Sequence, residues 1–170
     1  MAADLRKEKM QCQVGQNQRM ELNLSRGDRY ERTYELRAAA GEDVHGEANF
    51  VTRFSPRSVL DAGCGTGRVG RELYRRGVDV VGVDVDAEML TTARARCPSA
   101  SWIEGDISTI QLGRTFDIVL MAGNVINFVV PESRRQAVEN LAALESAGPP
   151  RSIHLPPSLM RWSNRGNGPG

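Results

Sequence analysis

Apolar and polar residues alternate along the middle of the chain in the manner of an α/β protein. The run at 78–83 (VDVVGV) is rich in valine, which is typical of a parallel strand covered on both faces. Segments with helical spacing separate the apolar runs, so the pattern predicts a parallel sheet with helices on both sides. The four predicted strands are 58–62 (SVLDA), 78–83, 101–104 (SWIE) and 116–122 (FDIVLMA).

Capping residues mark the ends of the predicted helices. Asp28 and Asp86 are the expected N-terminal caps of two of them, since a carboxylate accepts from unpaired N–H groups of the first turn. Pro131 suits the first position of the last helix. The predicted helices span 28–40, 42–54, 68–76, 86–96 and 131–145. The side chains expected to face the core are Val44, Phe50, Val51, Phe54, Val69, Leu73, Tyr74, Leu90, Ala93, Cys97, Val138, Leu141 and Leu144.

Composition divides the 170 residues into three parts. Residues 1–27 are Gln-rich and charged, with no sustained apolar period, and predict a flexible N-terminal tail. Residues 28–147 carry the α/β pattern, and we expect them to form one domain. Residues 148–170 hold five of the eight prolines and no further strand-like run, which indicates an irregular Pro/Gly-rich tail.

Charge and cysteine content exclude several classes of protein. The net charge of +1, with scattered arginines, argues against nucleic acid as a partner. Cys12, Cys64 and Cys97 lie far apart without a CxxC pair, so neither a disulfide framework nor a metal site is expected. No apolar run approaches the ~18 residues of a membrane span, and the N-terminus does not resemble a signal peptide. We therefore expect a soluble, cytoplasmic protein.

Three glycines follow the first predicted strand directly. Gly63, Gly65 and Gly67 alternate with Cys64 and Thr66, and a helix begins beyond them. Glycines there allow a sharp turn and the close approach of a ligand to the backbone, and the helix start offers unpaired N–H groups. Ligands of open α/β sheets bind at this end of the strands, so the loop predicts a ligand site.

The glycine spacing fits two classes of cofactor. Gly65, Gly67 and Gly70 satisfy the GxGxxG pattern of dinucleotide sites, and an acid such as Asp84 suits NAD as well. However, LDAGCGTG places Asp61 two residues before its first glycine and resembles motif I of class I methyltransferases that use S-adenosylmethionine (SAM). We favour SAM over NAD on this wider context, with Asp61 accepting from the ligand's ammonium group or ordering the loop.

The resemblance to this family covers about residues 55–130 in four segments. Motif I is followed by VVGVDVDAEML, WIEGDI and FDIVLMAGNVINF, in the family's order and spacing. It implies a Rossmann-like, doubly wound parallel sheet in which the second segment holds the ribose, the third the adenine and the fourth the methionine portion of SAM. The cofactor-binding residues that it implies are Tyr30, Asp61, Gly63, Gly65, Gly67, Asp84, Val85, Asp106, Ile107, Ala122 and Asn124.

The segment 28–51 looks like the lid helices that precede motif I in small-molecule methyltransferases. By that similarity Tyr30 closes over the cofactor and His45 faces the substrate. His45, with an ordinary pKa of about 6.5, is the best general-base candidate, although a histidine between helices is more often structural. Glu47 and His154 are weaker candidates. Methyl transfer depends mainly on in-line positioning, so no catalytic residue is assigned.

Family members continue after the last predicted helix with a fifth strand and an antiparallel hairpin. Residues 148–170 are too few and too rich in proline to supply them. We therefore expect a truncated or altered C-terminus and the strand order 3-2-1-4, lacking the family's last three strands. The fourth strand then forms an exposed edge that favours a homodimer. Three functions stay open: a small-molecule methyltransferase, a non-catalytic SAM-binding protein or partner subunit, and an NAD-binding oxidoreductase.

Overall fold

The computed structural model describes residues 24–146 as an α/β unit. The predictions for residues 1–23 and 147–170, His154 included, lie outside that range. The helices are α1 (Arg26–Ala39), α2 (Gly46–Thr52), α3 (Arg68–Arg75), α4 (Ala87–Arg96) and α5 (Arg134–Ala143). The strands are β1 (Ser58–Ala62), β2 (Asp79–Asp84), β3 (Ser101–Glu104) and β4 (Ile118–Leu120), and 3₁₀ turns occupy Val125–Asn127 and Pro131–Ser133.

The four strands form one parallel sheet in the order β3-β2-β1-β4, which confirms the predicted order. Val59 of the central strand β1 lies opposite Val80 on one side and opposite Ile118 on the other. β4 begins later than predicted because Asp117 donates its N–H to the Ser58 side chain instead of the ladder, and it ends at Leu120, two residues earlier than predicted. Before it, Phe116 forms an isolated parallel bridge with Glu145.

Helices bury both faces of the sheet, as the valine-rich strand indicated. Consecutive residues of a strand point to opposite faces, so Val59 packs with Leu73 and Val51 against α2 and α3. Leu60 packs with Leu141 on the other face, against α5. These buried layers hold the carboxyl ends of the strands in place, and the candidate site lies at those ends.

The first helix begins two residues earlier than predicted, and the assignment of Asp28 as its cap is wrong. Ser25 is the cap, and its Oγ accepts from the Asp28 N–H at 3.0 Å. The Asp28 carboxylate accepts from the Ser25 hydroxyl in return, a reciprocal arrangement that closes the first turn. By contrast, Asp86 caps α4 as predicted and accepts from the N–H groups of Glu88 and Met89.

Three other helices differ from the sequence prediction. α2 begins only at Gly46 because the Asp43 side chain accepts from the His45 N–H, a local bond that competes with the helix. In α5, Val138 is 44% exposed, and Ala137 and Leu141 face the sheet instead. Tyr74 is also exposed, since it lies one residue beyond the buried Leu73 on a helix that turns by about 100° per residue.

No helix among residues 24–146 is long and apolar enough to cross a membrane.

Candidate functional site

The predicted site segments meet at the carboxyl edge of the sheet. The Gly65 N–H donates to Asp84 Oδ2 at 2.7 Å, which joins the glycine loop (residues 63–67) to the end of β2. The Asp84 carbonyl accepts from the Gly105 N–H after β3, and Val125 after β4 packs against Gly63. Because β1 continues through α3 to β2 on one side while β4 lies on the other, this edge is a topological switch point, where ligands bind in open sheets.

All three glycines of the loop adopt left-handed backbone angles, with φ of +77° at Gly63, +55° at Gly65 and +73° at Gly67. Side chains other than glycine rarely adopt such angles. Their surroundings differ, however. A Cβ at Gly63 would overlap Val125, and one at Gly67 would lie 2.5 Å from the Trp102 ring. A Cβ at Gly65 would meet only the methyl of Met89, at 3.5 Å, so this is the loop glycine with open space before it.

Backbone bonds hold the loop against the end of β2. The N–H groups of Gly63 and Cys64 both donate to the Val83 carbonyl, at 2.7 and 3.0 Å. Asp84 Oδ1 accepts from the Asp86 N–H at 2.9 Å, while Oδ2 serves Gly65. The carboxylate that the resemblance assigns to the ribose therefore also ties the loop to the turn before α4.

Asp61 lies fully buried at the end of β1. Its Oδ2 accepts from the Gly70 N–H at 3.0 Å, in the first turns of α3. Burial raises the pKa of this carboxyl to about 7, against the opposing effects of the Gly70 bond and of Arg68. Two roles were expected for Asp61: binding the ligand's ammonium group and ordering the loop. The bond to Gly70 supports the second role, because it ties the end of β1 to the helix that follows the loop.

Trp102 is the residue beneath the loop that sequence reasoning missed. Gly67, Gly70 and Gly82 all face its ring, and its Nε1 donates to the Cys97 carbonyl at 2.8 Å. A glycine inside the valine-rich strand was the available signal, since it marks a close approach by another group. Packing against Trp102 therefore accounts for Gly67 and Gly70, two of the three glycines in the GxGxxG pattern.

The rest of the carboxyl edge is partly polar and partly apolar. Asp106 accepts from the Ser108 N–H and hydroxyl, at 2.8 and 2.7 Å, and these bonds lower the pKa of its carboxyl. Ile107 is buried among the core residues, whereas the side chain of Val85 is exposed. The adenine contacts that the resemblance assigns to these residues stay predictions.

The chain leaves β4 through an unusual turn. Gly123 and Asn124 both have positive φ, +70° and +61°, and Ala122 before them is half-buried. Positive φ is uncommon outside glycine, and such strain concentrates at functional sites. Beyond the turn, Phe128 is 85% exposed, which gives this side of the edge an apolar surface.

The two helices before β1 dock on the residue that follows the loop. The Arg68 guanidinium lies 4.2 Å from the centre of the Tyr34 ring and pairs with Glu47 at 2.7 Å. It also donates to the Val44 carbonyl. Tyr30 donates to the Tyr34 hydroxyl at 3.2 Å, so the predicted lid tyrosine adjoins this cluster.

The general-base candidates are placed differently from one another. Glu47 is held by Arg68, which leaves it poorly suited to accept a substrate proton. His45 precedes α2, and its Nδ1 is buried without a partner among residues 24–146. Arg75 and Arg76 lower the pKa of Glu72 on α3 to about 2 by hydrogen bonding to its carboxylate. A catalytic role for His45 stays a prediction, and the described residues contain no cluster suited to a metal ion.

An open parallel sheet with a glycine loop at its switch point defines a ligand-binding α/β domain of the Rossmann-like class. Residues 59–148, more than half of the chain, match the family model described as "Methyltransferase domain". The chain belongs to this family.

Two curated relatives illustrate the match. The chain is 38% identical over 86 residues to magnesium-protoporphyrin O-methyltransferase of Rhodobacter capsulatus, covering 48% of this chain and 38% of the relative. It is 36% identical over 110 residues to dTDP-3-amino-3,6-dideoxy-alpha-D-glucopyranose N,N-dimethyltransferase of Streptomyces fradiae, covering 61% and 43%. The chain thus spans less than half the length of either relative.

Solved structures give the same fold. A TehB-like SAM-dependent methyltransferase from Corynebacterium glutamicum superposes with a TM-score of 0.65 at 38% identity, over 71% of this chain and 67% of that one. SAM-bound CalS10, an amino pentose methyltransferase from Micromonospora echinaspora, gives 0.61 at 32% identity, over 70% and 52%.

Proposed function

We propose that this chain binds SAM at the glycine loop and transfers its methyl group to a small molecule. The observation that carries the proposal is Gly65, the loop glycine whose Cβ position is open, at the switch point of the sheet. Asp84 places a carboxylate next to this backbone, where it is suited to hydroxyl groups, and Asp61 orders the loop from beneath through Gly70. The SAM-dependent relatives support the choice of cofactor.

The residues present fit SAM. Asp84 would hold the ribose, Val85, Asp106 and Ile107 would contact the adenine, and the turn at 122–124 would contact the methionine portion. Gly65 allows the close approach of the ligand that a Cβ would prevent, while Gly63 and Gly67 give the loop its shape through positive φ and close packing. Tyr30 would cover the cofactor from α1, as the resemblance implies.

SAM supplies an electrophilic methyl group on a sulfonium. The residues of the chain orient the acceptor and exclude water, because an in-line displacement depends chiefly on alignment. The exposed Phe128, beyond the turn after β4, suits an acceptor with an apolar portion. An acceptor with a bound proton must release it, and His45 is the candidate base that no described ion pair engages.

Titration of the full chain with SAM and with NAD tests the cofactor. We expect heat of binding with SAM and none with NAD. Binding of NAD alone would refute the proposal and restore the oxidoreductase. Incubation with methyl-labelled SAM and a panel of amino sugars, hydroxyl compounds and carboxylic acids then tests transfer. SAM binding without transfer would favour the alternative of a non-catalytic SAM-binding protein.

We also propose that two copies pair through β4. Among residues 24–146, β4 has β1 as its one full partner, and its other side carries only the bridge near Phe116. Edge strands with unpaired backbone groups favour such pairing. Sedimentation equilibrium of the purified chain should show a dimer, and a monomer at ~100 μM, where even a weak pairing of about −5.5 kcal/mol is half formed, would refute the pairing.

A further inference from the structure

Thr66 is the residue of the glycine loop whose side chain is held by a helix from outside the family match. Thr66 is almost fully buried, and its hydroxyl donates to Glu31 Oε1 at 2.5 Å. Its methyl lies 3.5 Å from the position of a Cβ on Gly27. Gly27 and Glu31 are one turn apart on α1, so a single helix face contacts both ends of the Thr66 side chain.

Glu31 joins three elements around the loop. Its side chain is 3% exposed, and the second carboxylate oxygen accepts from Arg71 Nη2 of α3 at 2.7 Å. Arg96 of α4 lies 3.9 Å from the same oxygen. A buried ion pair contributes little net stability, because desolvation opposes its attraction. In some proteins such a pair instead fixes the relative position of the elements that it joins.

The neighbours of Thr66 are held by other elements. Gly65 is bonded to Asp84 of β2, and Gly67 rests on Trp102 of β3. Glu31 is the contact that comes from the segment before β1, ahead of the matched residues 59–148. The backbone that faces the open space at Gly65 is therefore fixed from three directions, one of which is α1.

We propose that Glu31 is a positioning residue that sets the geometry of the glycine loop through the Thr66 hydroxyl and so determines its affinity for SAM. The proposal deepens the proposed function and rests on SAM binding at this loop. Loss of a charge-assisted bond in a buried site, with the small loop movement it permits, should weaken SAM by about tenfold.

The test compares substitutions at two positions of α1 in the full chain. Glu31→Met keeps an unbranched, helix-favouring side chain of similar length but removes both acceptors. Glu31→Gln keeps one acceptor for Thr66. The matched control is Glu35→Met, one turn along the helix, where the glutamate also pairs with Arg96 but does not reach the loop.

Dissociation constants for SAM and for its product S-adenosylhomocysteine are measured calorimetrically, well below each variant's unfolding temperature. We expect about a tenfold rise for Glu31→Met, less than threefold for Glu31→Gln and no change for Glu35→Met. Hydrogen exchange of the amides at 64–67 should speed up in the free Glu31→Met protein only. A Glu31→Met protein that is less stable yet binds SAM with the wild-type constant would overturn the proposal, since that is the result of a purely structural role.

A second pair of variants tests the same hydrogen bond from the Thr66 side if Glu31→Met does not fold. Thr66→Ser retains the hydroxyl and Thr66→Val removes it at nearly constant shape. We expect Thr66→Val to bind SAM about tenfold more weakly than Thr66→Ser. Equal constants for the two would refute the role of the hydroxyl. Absence of SAM binding by the wild-type chain would instead refute the proposed function, so the two failures are distinguishable.

Discussion

Gly65→Ala separates the binding role of the glycine loop from its structural role. Gly65 has a φ of +55°, and a Cβ there would contact only the Met89 methyl at 3.5 Å. Gly77, after α3, has a φ of +86° and nothing within 4 Å of its Cβ position. Gly77→Ala therefore introduces the same kind of backbone strain far from the site and is the matched control.

The stability cost should be small and similar at both positions. A left-handed alanine costs about 1–2 kcal/mol, and the reduced freedom of the unfolded chain returns part of this, so we expect a net loss near ~1 kcal/mol. For a chain of this size that lowers the unfolding temperature by about 2–4 °C. SAM binding should differ sharply, because a methyl group in the space of a close-packed ligand costs about 1–3 kcal/mol, which corresponds to roughly 5- to 150-fold in affinity.

Thermal unfolding and calorimetric titration with SAM measure the two quantities on the same samples. We expect both variants to unfold at nearly equal temperatures and only Gly65→Ala to lose affinity. If Gly65→Ala binds SAM as tightly as Gly77→Ala does, the cofactor does not lie against this glycine. If the unfolding temperature of Gly65→Ala is far below that of Gly77→Ala, the space in front of Gly65 is not open.

Two further predictions concern stability. Gly67→Ala should lower the free energy of unfolding by about 3 kcal/mol in urea titrations, since its Cβ would lie 2.5 Å from the Trp102 ring in addition to the backbone strain; a loss equal to that of Gly77→Ala would contradict the packing described. Asp61→Asn tests the raised pKa of Asp61. Because the folded protein binds this proton more tightly, the wild type loses stability as the pH rises from 3.8 to about 7. The stability of Asp61→Asn relative to wild type should therefore improve between pH 4.5 and 7.5, and a constant difference would show that Asp61 titrates normally.

The sheet was predictable because its signals are local. A few residues of sequence are enough to predict the valine-rich strand 78–83 and the glycine loop. Because the strands are parallel, the carboxyl end of that strand and the loop then meet at the same edge of the sheet. Errors arose where two local signals compete. Ser25 and Asp28 both suit a helix cap, and the reciprocal bond between them makes the earlier residue the boundary. Val138 was expected inside on hydrophobicity, yet the rotation of α5 turns the smaller Ala137 to the sheet.

The site was predictable only along its backbone. The glycines and Asp84 lie together as the resemblance implied. Trp102 and Glu31 were not foreseen, because the contact of each with the loop joins residues distant in sequence and leaves no periodic pattern. Gly82 indicates that a large side chain lies nearby, but the sequence does not identify the residue that supplies it. Side-chain contacts of this kind depend on the docking of helices, which sequence patterns do not fix.

The strand order also has a consequence for how the chain assembles. Val59 pairs with Val80, one helical connection away, and with Ile118, which follows two further helical or loop connections. Closing the longer loop costs more chain entropy, so the β1–β2 pair should form well before β4 arrives. During that interval the edge of β1 that later pairs with β4 has no strand bonded to it. Contacts across the β1–β4 interface are then expected to form after the rate-limiting step of folding, so substitutions at Ile118 should slow refolding less than they speed unfolding.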